Sequence, residues 1–254
     1  MSREKRRKSK TGIYHIMLRG IDQRHIFIDD DDRTKFLKTL MKAKESGGFS
    51  LYAYCLMDNH VHLLIKENEE IGTSIKRITV SYVQWHNNKY GRTGHLFQNR
   101  YTSEVVESEA YFLVVLRYIH QNPMKAMSLQ TLSQYAWSSY NLYIDAYDSK
   151  SVAIETDITR QYFMNKKSFK TYMLQPNNDT CLDFNQKIRY TDKEIIELLK
   201  NRYALNEVSH LPKSDRDKII VDIKKEADVS IRQLSRILGI GRGIIEKAYK
   251  KTSS

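Results

Sequence analysis

Apolar positions in the first 145 residues change spacing several times, and each change marks an element. Tyr14 to Leu18 is an apolar run that predicts a first strand. Asp29 to Asp32 place negative charge where a helix N-terminus favours it. Phe36, Leu37, Leu40 and Met41 continue at helical spacing until Gly47-Gly48. Phe49–Leu56 and His60–Lys66 read as two strands joined at Asp58-Asn59, residue types that favour a tight turn. A helix from about Gly72 to Tyr90 carries Ile75, Ile78, Tyr82 and Val83 on one stripe and offers Lys76, Arg77 and Lys89 on its other face. Gly91-Arg92-Thr93-Gly94 is a loop by composition, and a strand from about Leu96 to Val106 is expected to follow. From Glu109 to Asn122, Phe112, Leu113, Leu116 and Ile119 follow helical spacing, with Pro123 expected to end the helix. Strand, helix, hairpin, helix, strand, helix is the α+β order of an antiparallel sheet with packed helices.

Beyond residue 145 the pattern is helical only. Tyr162, Phe163, Phe169, Tyr172 and Met173 suit a short helical pair with an apolar seam, and Pro176-Asn177-Asn178-Asp179 reads as a turn. These aromatics fit core packing better than base stacking. Near the C-terminus, Arg216–Glu226 is amphipathic, Ser230 is placed to cap Ile231–Leu238, and Gly239-Ile240 breaks the chain before Gly241–Lys250. Leu234, Leu238, Ile240 and Ile245 fall where three helices share a core, the pattern of a helix-turn-helix. The last helix would turn Arg242, Lys247 and Lys250 outward toward phosphates or base edges. Helical hairpins with a glycine turn also dock proteins, so DNA reading is the favoured of two uses.

The candidate chemistry lies in the hairpin and in the helix after it. Side chains alternate along a strand, so His60 and His62 share one face while Val61, Leu63 and Ile65 share the other. Two neutral imidazoles on one rigid strand leave coordination positions open on a divalent metal, as catalysis requires. The same spacing also fits a half-exposed strand face. Tyr118 and Asn122, four apart, share a helix face and could present a nucleophile together with a third metal-binding oxygen. Seventeen tyrosines make core packing the ordinary role for any one of them, and Tyr111, one heptad earlier, lies on a similar face.

A formal net charge of +12 and a pI near 9.5 favour a polyanionic partner without separating DNA from RNA or an acidic membrane surface. Arg3, Lys5, Arg6, Arg7, Lys8 and Lys10 form a basic arm before the first strand. The arm lacks the apolar stretch of a signal peptide, and no segment approaches spanning length, so no membrane role is expected. Cys55 and Cys181 have no paired spacing, which argues against a disulfide framework or a cysteine zinc site and fits a reducing cytoplasm.

Four motifs occur in order over about residues 10–145: Met57-Asp58-Asn59-His60-Val61-His62, Gly94-His95-Leu96-Phe97-Gln98-Asn99-Arg100-Tyr101, Tyr118-Ile119-His120-Gln121-Asn122-Pro123 and Trp137-Ser138-Ser139-Tyr140. Together they resemble the single-tyrosine HUH transposases, and most closely the REP-associated tyrosine transposase branch. The resemblance implies a ferredoxin-like antiparallel sheet with helices packed on one face. It further implies His60 and His62 as metal ligands for Mg²⁺ or Mn²⁺, Tyr118 as nucleophile, Asn122 completing the metal site, and Arg100 as a DNA contact. In insertion-sequence relatives the Asn122 position is often Gln, so a bridging water is the alternative to direct ligation. His120, on another helix face, reads as structural or DNA-contacting.

The organisation expected is a basic arm (1–11), an HUH transposase domain (12–145), a helical connector (146–210) and a helix-turn-helix domain (211–254). The expected activity is metal-assisted cleavage and rejoining of single-stranded DNA, with a hairpin or repeat as partner and duplex DNA at the C-terminal domain. The chain would act as a monomer or homodimer, in a bacterial cytoplasm and associated with the nucleoid. The competing reading is a non-catalytic DNA-binding regulator derived from such an enzyme. A replication initiator or relaxase of the wider HUH group fits the motif order less well.

Overall fold

The computed structural model describes residues 6–98, 100–127, 129–176, 181–182, 192–200, 202–227 and 229–250, with some of their side chains left aside. It divides into two compact units, 1–183 and 184–254.

The first unit is built on four strands, β1 (Ile13–Arg19), β2 (Ser50–Met57), β3 (His60–Lys66) and β4 (Thr102–Val105). Their order is β2-β3-β1-β4, and every neighbouring pair is antiparallel. With helices α1 (Asp30–Gly47) and α2 (Ile71–Tyr90) between strands, this is the ferredoxin-like arrangement. Met17 pairs with His62, Arg19 with His60 and His15 with Leu64, so His15, His60 and His62 share one face of the sheet.

Capping residues start and stop α1 where the sequence places them. Asp29 accepts the Asp32 amide (3.0 Å) in a capping box, and Gly48 ends the helix at φ 66°, a conformation glycine adopts without strain. Lys89, at the end of α2, donates to Asp29 (2.7 Å) and to the fully buried Asp32 (2.9 Å), and Arg77 grips Glu69 with both terminal nitrogens. Two of the three cations expected to be available on α2 are thus engaged in structural ion pairs.

The face opposite the histidines carries Ile16, Leu18, Val61, Leu63 and Ile65, all essentially buried. Leu18 lines one groove with Ile75, Thr79 and Val83 of α2, which places that helix on this side. Phe27, Phe36 and Tyr82 meet edge-on or tilted at 5.1–5.8 Å between ring centres. Helix α3 (Glu109–Met127) instead covers the histidine face, where Tyr118 meets both His15 and His62. The helices therefore occupy both faces of the sheet rather than one. A face bearing buried imidazoles needs cover as much as an aliphatic one.

Three boundaries differ from the sequence reading. Pro123 does not end α3, which continues to Met127. Proline removes one backbone donor, but it is buried here, and packing outweighs that loss. The expected Leu96–Val106 strand is interrupted: Ile21 N–H donates to Leu96 O and Gln98 N–H to Arg19 O, whereas regular pairing resumes only at Thr102 opposite Met17. Arg100 and Tyr101 thus precede β4 and lie outside any strand. The 146–210 connector is not a separate body. Helices α4 (Tyr140–Tyr147), α5 (Asp157–Tyr162) and α6 (Lys166–Met173) belong to the first unit, with Phe169 of α6 stacked on Tyr143 at 5.2 Å. Helix α7 (Asp192–Leu199) gives Ile195 and Leu199 to the second core.

The Trp137-Ser138-Ser139-Tyr140 segment protects the outer edge of β2. Leu56 N–H donates to Trp137 O (2.9 Å), Ser139 N–H to Tyr54 O (3.0 Å), and Tyr54 N–H to Ser139 Oγ (3.0 Å). His120 Nε2 bonds the same hydroxyl at 2.8 Å, which makes His120 a structural residue that ties α3 to this edge.

The second unit packs α8 (Lys213–Ala227), α9 (Ile231–Leu238) and α10 (Arg242–Lys250) with α7 around Ile220, Ile223, Leu234, Leu238, Ile240 and Ile245. Ser230 caps α9 by accepting the Gln233 amide (3.2 Å), and Gly239 ends it at φ 65°. Among the described residues no helix is long and apolar enough to cross a membrane.

Burial pushes His120 down to about 3. The unfolded chain takes up that proton near pH 6.5, so between those values it binds more protons than the folded chain. Stability should therefore fall as pH drops through this window, by up to about 1.4 kcal/mol per pH unit from this group alone. Urea unfolding across pH 7 to 4 checks this, and His120→Gln is expected to give a shallower dependence than the parent chain.

Candidate active site

The Asp58-Asn59 turn that carries the histidine strand is held from three directions. Gly20 N–H donates to Asn59 O (2.8 Å), and the amides of Ile26 and Phe27 both reach Asp58 O (2.8 and 3.1 Å). Gly20 leaves no room for a side chain, since a Cβ there would lie 2.1 Å from Arg24 O. Arg33 of α1 donates to the Asp58 carboxylate, with its guanidinium 5.8 Å from the Trp137 ring centre.

This scaffold orients His60. Asn59 donates Nδ2 to Gln23 O (3.3 Å), which turns Oδ1 toward His60 Nδ1 at 2.7 Å. An amide oxygen only accepts, so His60 Nδ1 carries the proton and the lone pair falls on Nε2. His60 is partly exposed and its ring lies 5.0 Å from that of His62. His62 is fully buried. Burial first, then the neighbouring His15 and His60, hold it well below the ordinary histidine range, so it is neutral at pH 7.

Helix α3 brings Tyr118 onto this pair. Its ring meets His62 at 5.7 Å and His15 at 5.8 Å, both edge-on, and it is 2% exposed. The tyrosine and both histidines come from one chain. In this arrangement the phenol is shut off from solvent. Asn122, one turn further on, donates Nδ2 back to Tyr118 O at 3.1 Å, leaving Oδ1 as its acceptor. Among the described residues no group of three or more histidine, cysteine, aspartate and glutamate side chains is placed to hold a metal. The donor set is two imidazoles and an amide oxygen. His62 Nε2 is buried without a hydrogen-bond partner among the described residues, a nitrogen that a metal ligand would satisfy. The residues therefore fit an open divalent site, one that leaves positions for substrate oxygen.

Arg100 lies away from this cluster on an exposed rim. It lines a groove of about 680 Å³ with Arg19, Lys76, His95 and Tyr101, and Arg6 packs 3.9 Å from the Tyr101 ring centre in the same place. Arg19, opposite His60 in the ladder, connects the groove to the histidine end of the sheet. Cations beside an aromatic ring suit a single strand's phosphates and bases. In the second unit Arg242 and Lys247 are exposed on α10, while the Lys250 side chain falls outside the described residues. Cys55 and Cys181 are both buried and unbridged.

Sequence reasoning missed His15. It lies beneath Tyr118, and its Nε2 is 2.9 Å from His62 Nδ1. Its signal was a lone polar residue in the apolar Tyr14–Leu18 run, but only strand pairing shows which residues it meets.

Residues 8–122 match the family model described as "Transposase IS200 like". No curated protein gives a significant match. Among solved structures, a REP-associated tyrosine transposase bound to a REP hairpin aligns with 16% identity and a TM-score of 0.49, over 61% of this chain and 91% of that one. A Deinococcus radiodurans R1 protein described as a transposase aligns with 18% identity and a TM-score of 0.34, over 47% and 97%.

Replacing Arg33 with alanine should free the Asp58 turn. The expected loss is about 1–2 kcal/mol, since the charged bond is partly solvent-screened, and urea denaturation measures it.

Proposed function

We propose that this chain is a DNA strand transferase that cleaves and rejoins single-stranded DNA through Tyr118. The observation that carries the reading is the meeting of Tyr118 with His62, beside His60, on one sheet face of a single chain within an IS200-like transposase segment. The Tyr118 oxygen attacks a phosphodiester phosphorus, the bond to the 3′ oxygen breaks, and a 5′-phosphotyrosine and a free 3′-OH remain. The phenol loses a proton and the departing 3′ oxygen gains one. The bond energy stays in the phosphotyrosine, so a 3′-OH can reverse the step without a nucleoside triphosphate.

His60 and His62, with Asn122, are the residues that would hold Mg²⁺ or Mn²⁺. What such an ion supplies when bound is charge stabilisation at a non-bridging phosphate oxygen. The protein's own part is to present neutral imidazole nitrogens, to fix the tyrosine beside them, and to lead the strand along the Arg19–Arg100 groove. A hairpin or repeat in single-stranded DNA is the favoured substrate. The α9–α10 pair, with Arg242 and Lys247 outward, supplies duplex binding in the manner of a helix-turn-helix. The chain would act as a monomer or homodimer.

One observation favours the second reading, a non-catalytic DNA-binding regulator: the buried phenol and the Asn122 amide turned back onto its own helix. Covalent trapping separates the two. Labelled single-stranded hairpins are incubated with protein and Mn²⁺, with or without chelator, and resolved by denaturing electrophoresis. A metal-dependent adduct lost in Tyr118→Phe is expected. Tight binding without an adduct would favour the regulator, and an adduct mapped to Tyr111 or Tyr101 would reassign the nucleophile.

His60→Ala should lower metal-dependent cleavage by roughly 100-fold or more while leaving hairpin affinity nearly unchanged, because phosphate tracking and metal holding use different residues. A chain ending at residue 183 should keep hairpin cleavage and lose at least roughly tenfold in duplex affinity, about 1.4 kcal/mol. Gel-shift titration and cleavage rates on the same preparations check both.

A further inference from the structure

We propose that Glu104 and His15 are positioning residues that fix the tautomer of His62, leaving its Nε2 lone pair open to a divalent cation. The inference rests on the metal-holding role given above to the histidine pair. His15 links two partners on the same sheet face: its Nε2 lies 2.9 Å from His62 Nδ1, and its Nδ1 lies 3.7 Å from the Glu104 carboxylate on β4. His15 pairs directly with Glu104 across the β1–β4 ladder, so the sheet itself sets this contact.

Two neutral imidazoles that share one hydrogen bond have two arrangements. In the first, His15 carries its proton on Nδ1 toward Glu104, accepts at Nε2 from His62 Nδ1–H, and leaves His62 Nε2 bare. In the second, His15 donates from Nε2 to His62 Nδ1. Its own Nδ1 lone pair then faces a carboxylate, and His62 carries an Nε2–H that is buried without an acceptor among the described residues. The second arrangement opposes like charge density and strands a buried donor, so the first is selected. At 3.7 Å the carboxylate acts on His15 as an electrostatic contact rather than through a formed hydrogen bond. Glu104 is itself held by the Leu182 amide (2.9 Å), so its charge has a fixed place.

The result matches the other histidine. Asn59 leaves the His60 lone pair on Nε2, and the Glu104–His15 pair does the same for His62. Orientation of a ligating histidine through its second nitrogen is a general device of metal sites, and disturbing it weakens metal binding roughly 10–100-fold.

The test uses the full chain. Long-range ¹H–¹⁵N correlation spectra of the metal-free protein report which ring nitrogen of His62 is protonated, and water-proton relaxation gives the Mn²⁺ dissociation constant. The parent is expected to show His62 protonated on Nδ1. Glu104→Gln, at a half-exposed sheet edge, should mix the two tautomers and weaken Mn²⁺ binding roughly 10–100-fold. His15→Phe, which keeps an aromatic ring under Tyr118, should give the same direction. A parent with His62 protonated on Nε2, or a Glu104→Gln variant unchanged in both tautomer and Mn²⁺ affinity, would overturn the proposal. If His62 is protonated on Nδ1 but Mn²⁺ fails to broaden the parent's His60 and His62 signals, the relay stands and the metal reading fails.

Discussion

The pairing of β1 with β3 is the constraint on which the rest depends. It sets Met17 against His62 and Arg19 against His60, and thereby puts His15, His60 and His62 on one side of a four-stranded sheet. Side chains alternate with a period of two, so a slip of one residue would send the imidazoles into the aliphatic layer that holds Val61, Leu63 and Ile65. Such a slip of β3 buries the His60 and His62 rings among aliphatic side chains without partners and turns the most apolar residues of β3 onto the face where His15 remains. The register is secured at the turn, where Gly20, Ile26 and Phe27 all donate to Asp58 or Asn59.

From that register the site assembles in order. A face lined with histidines needs a cover that tolerates polar atoms, and α3 supplies one by laying Tyr118 edge-on over His15 and His62. Helix α3 is then fastened from its other side through His120 to Ser139, the residue that also completes the β2 edge. The histidine–tyrosine cluster and the protection of the sheet edge therefore share one helix. The second unit has its own core and its own exposed cations.

Much of this was readable from local pattern. The Asp58-Asn59 turn, the capped α1 and the Ser230 and Gly239 ends of α9 all follow from residues within a few positions of one another. Period-two spacing puts His60 and His62 on one face, whereas Tyr118 was singled out by the family resemblance and not by its helical spacing, which Tyr111 shares. What escaped depends on distant partners. His15 acquires meaning only through strand pairing with residues about 50 and 90 positions away. Arg77 and Lys89 look available on a helical wheel, but Glu69, Asp29 and Asp32 engage them. Pro123 is a helix stop by local rules and is overruled by burial. The connector dissolved for the same reason, since Phe169 and Ile195 join different cores.

The most direct measurement is anomalous diffraction from crystals of the full chain grown with Mn²⁺. One manganese peak is expected within coordination distance of the Nε2 atoms of both His60 and His62, on the side facing Tyr118. Manganese bound elsewhere, with the histidine pair empty at saturating Mn²⁺, would contradict the account.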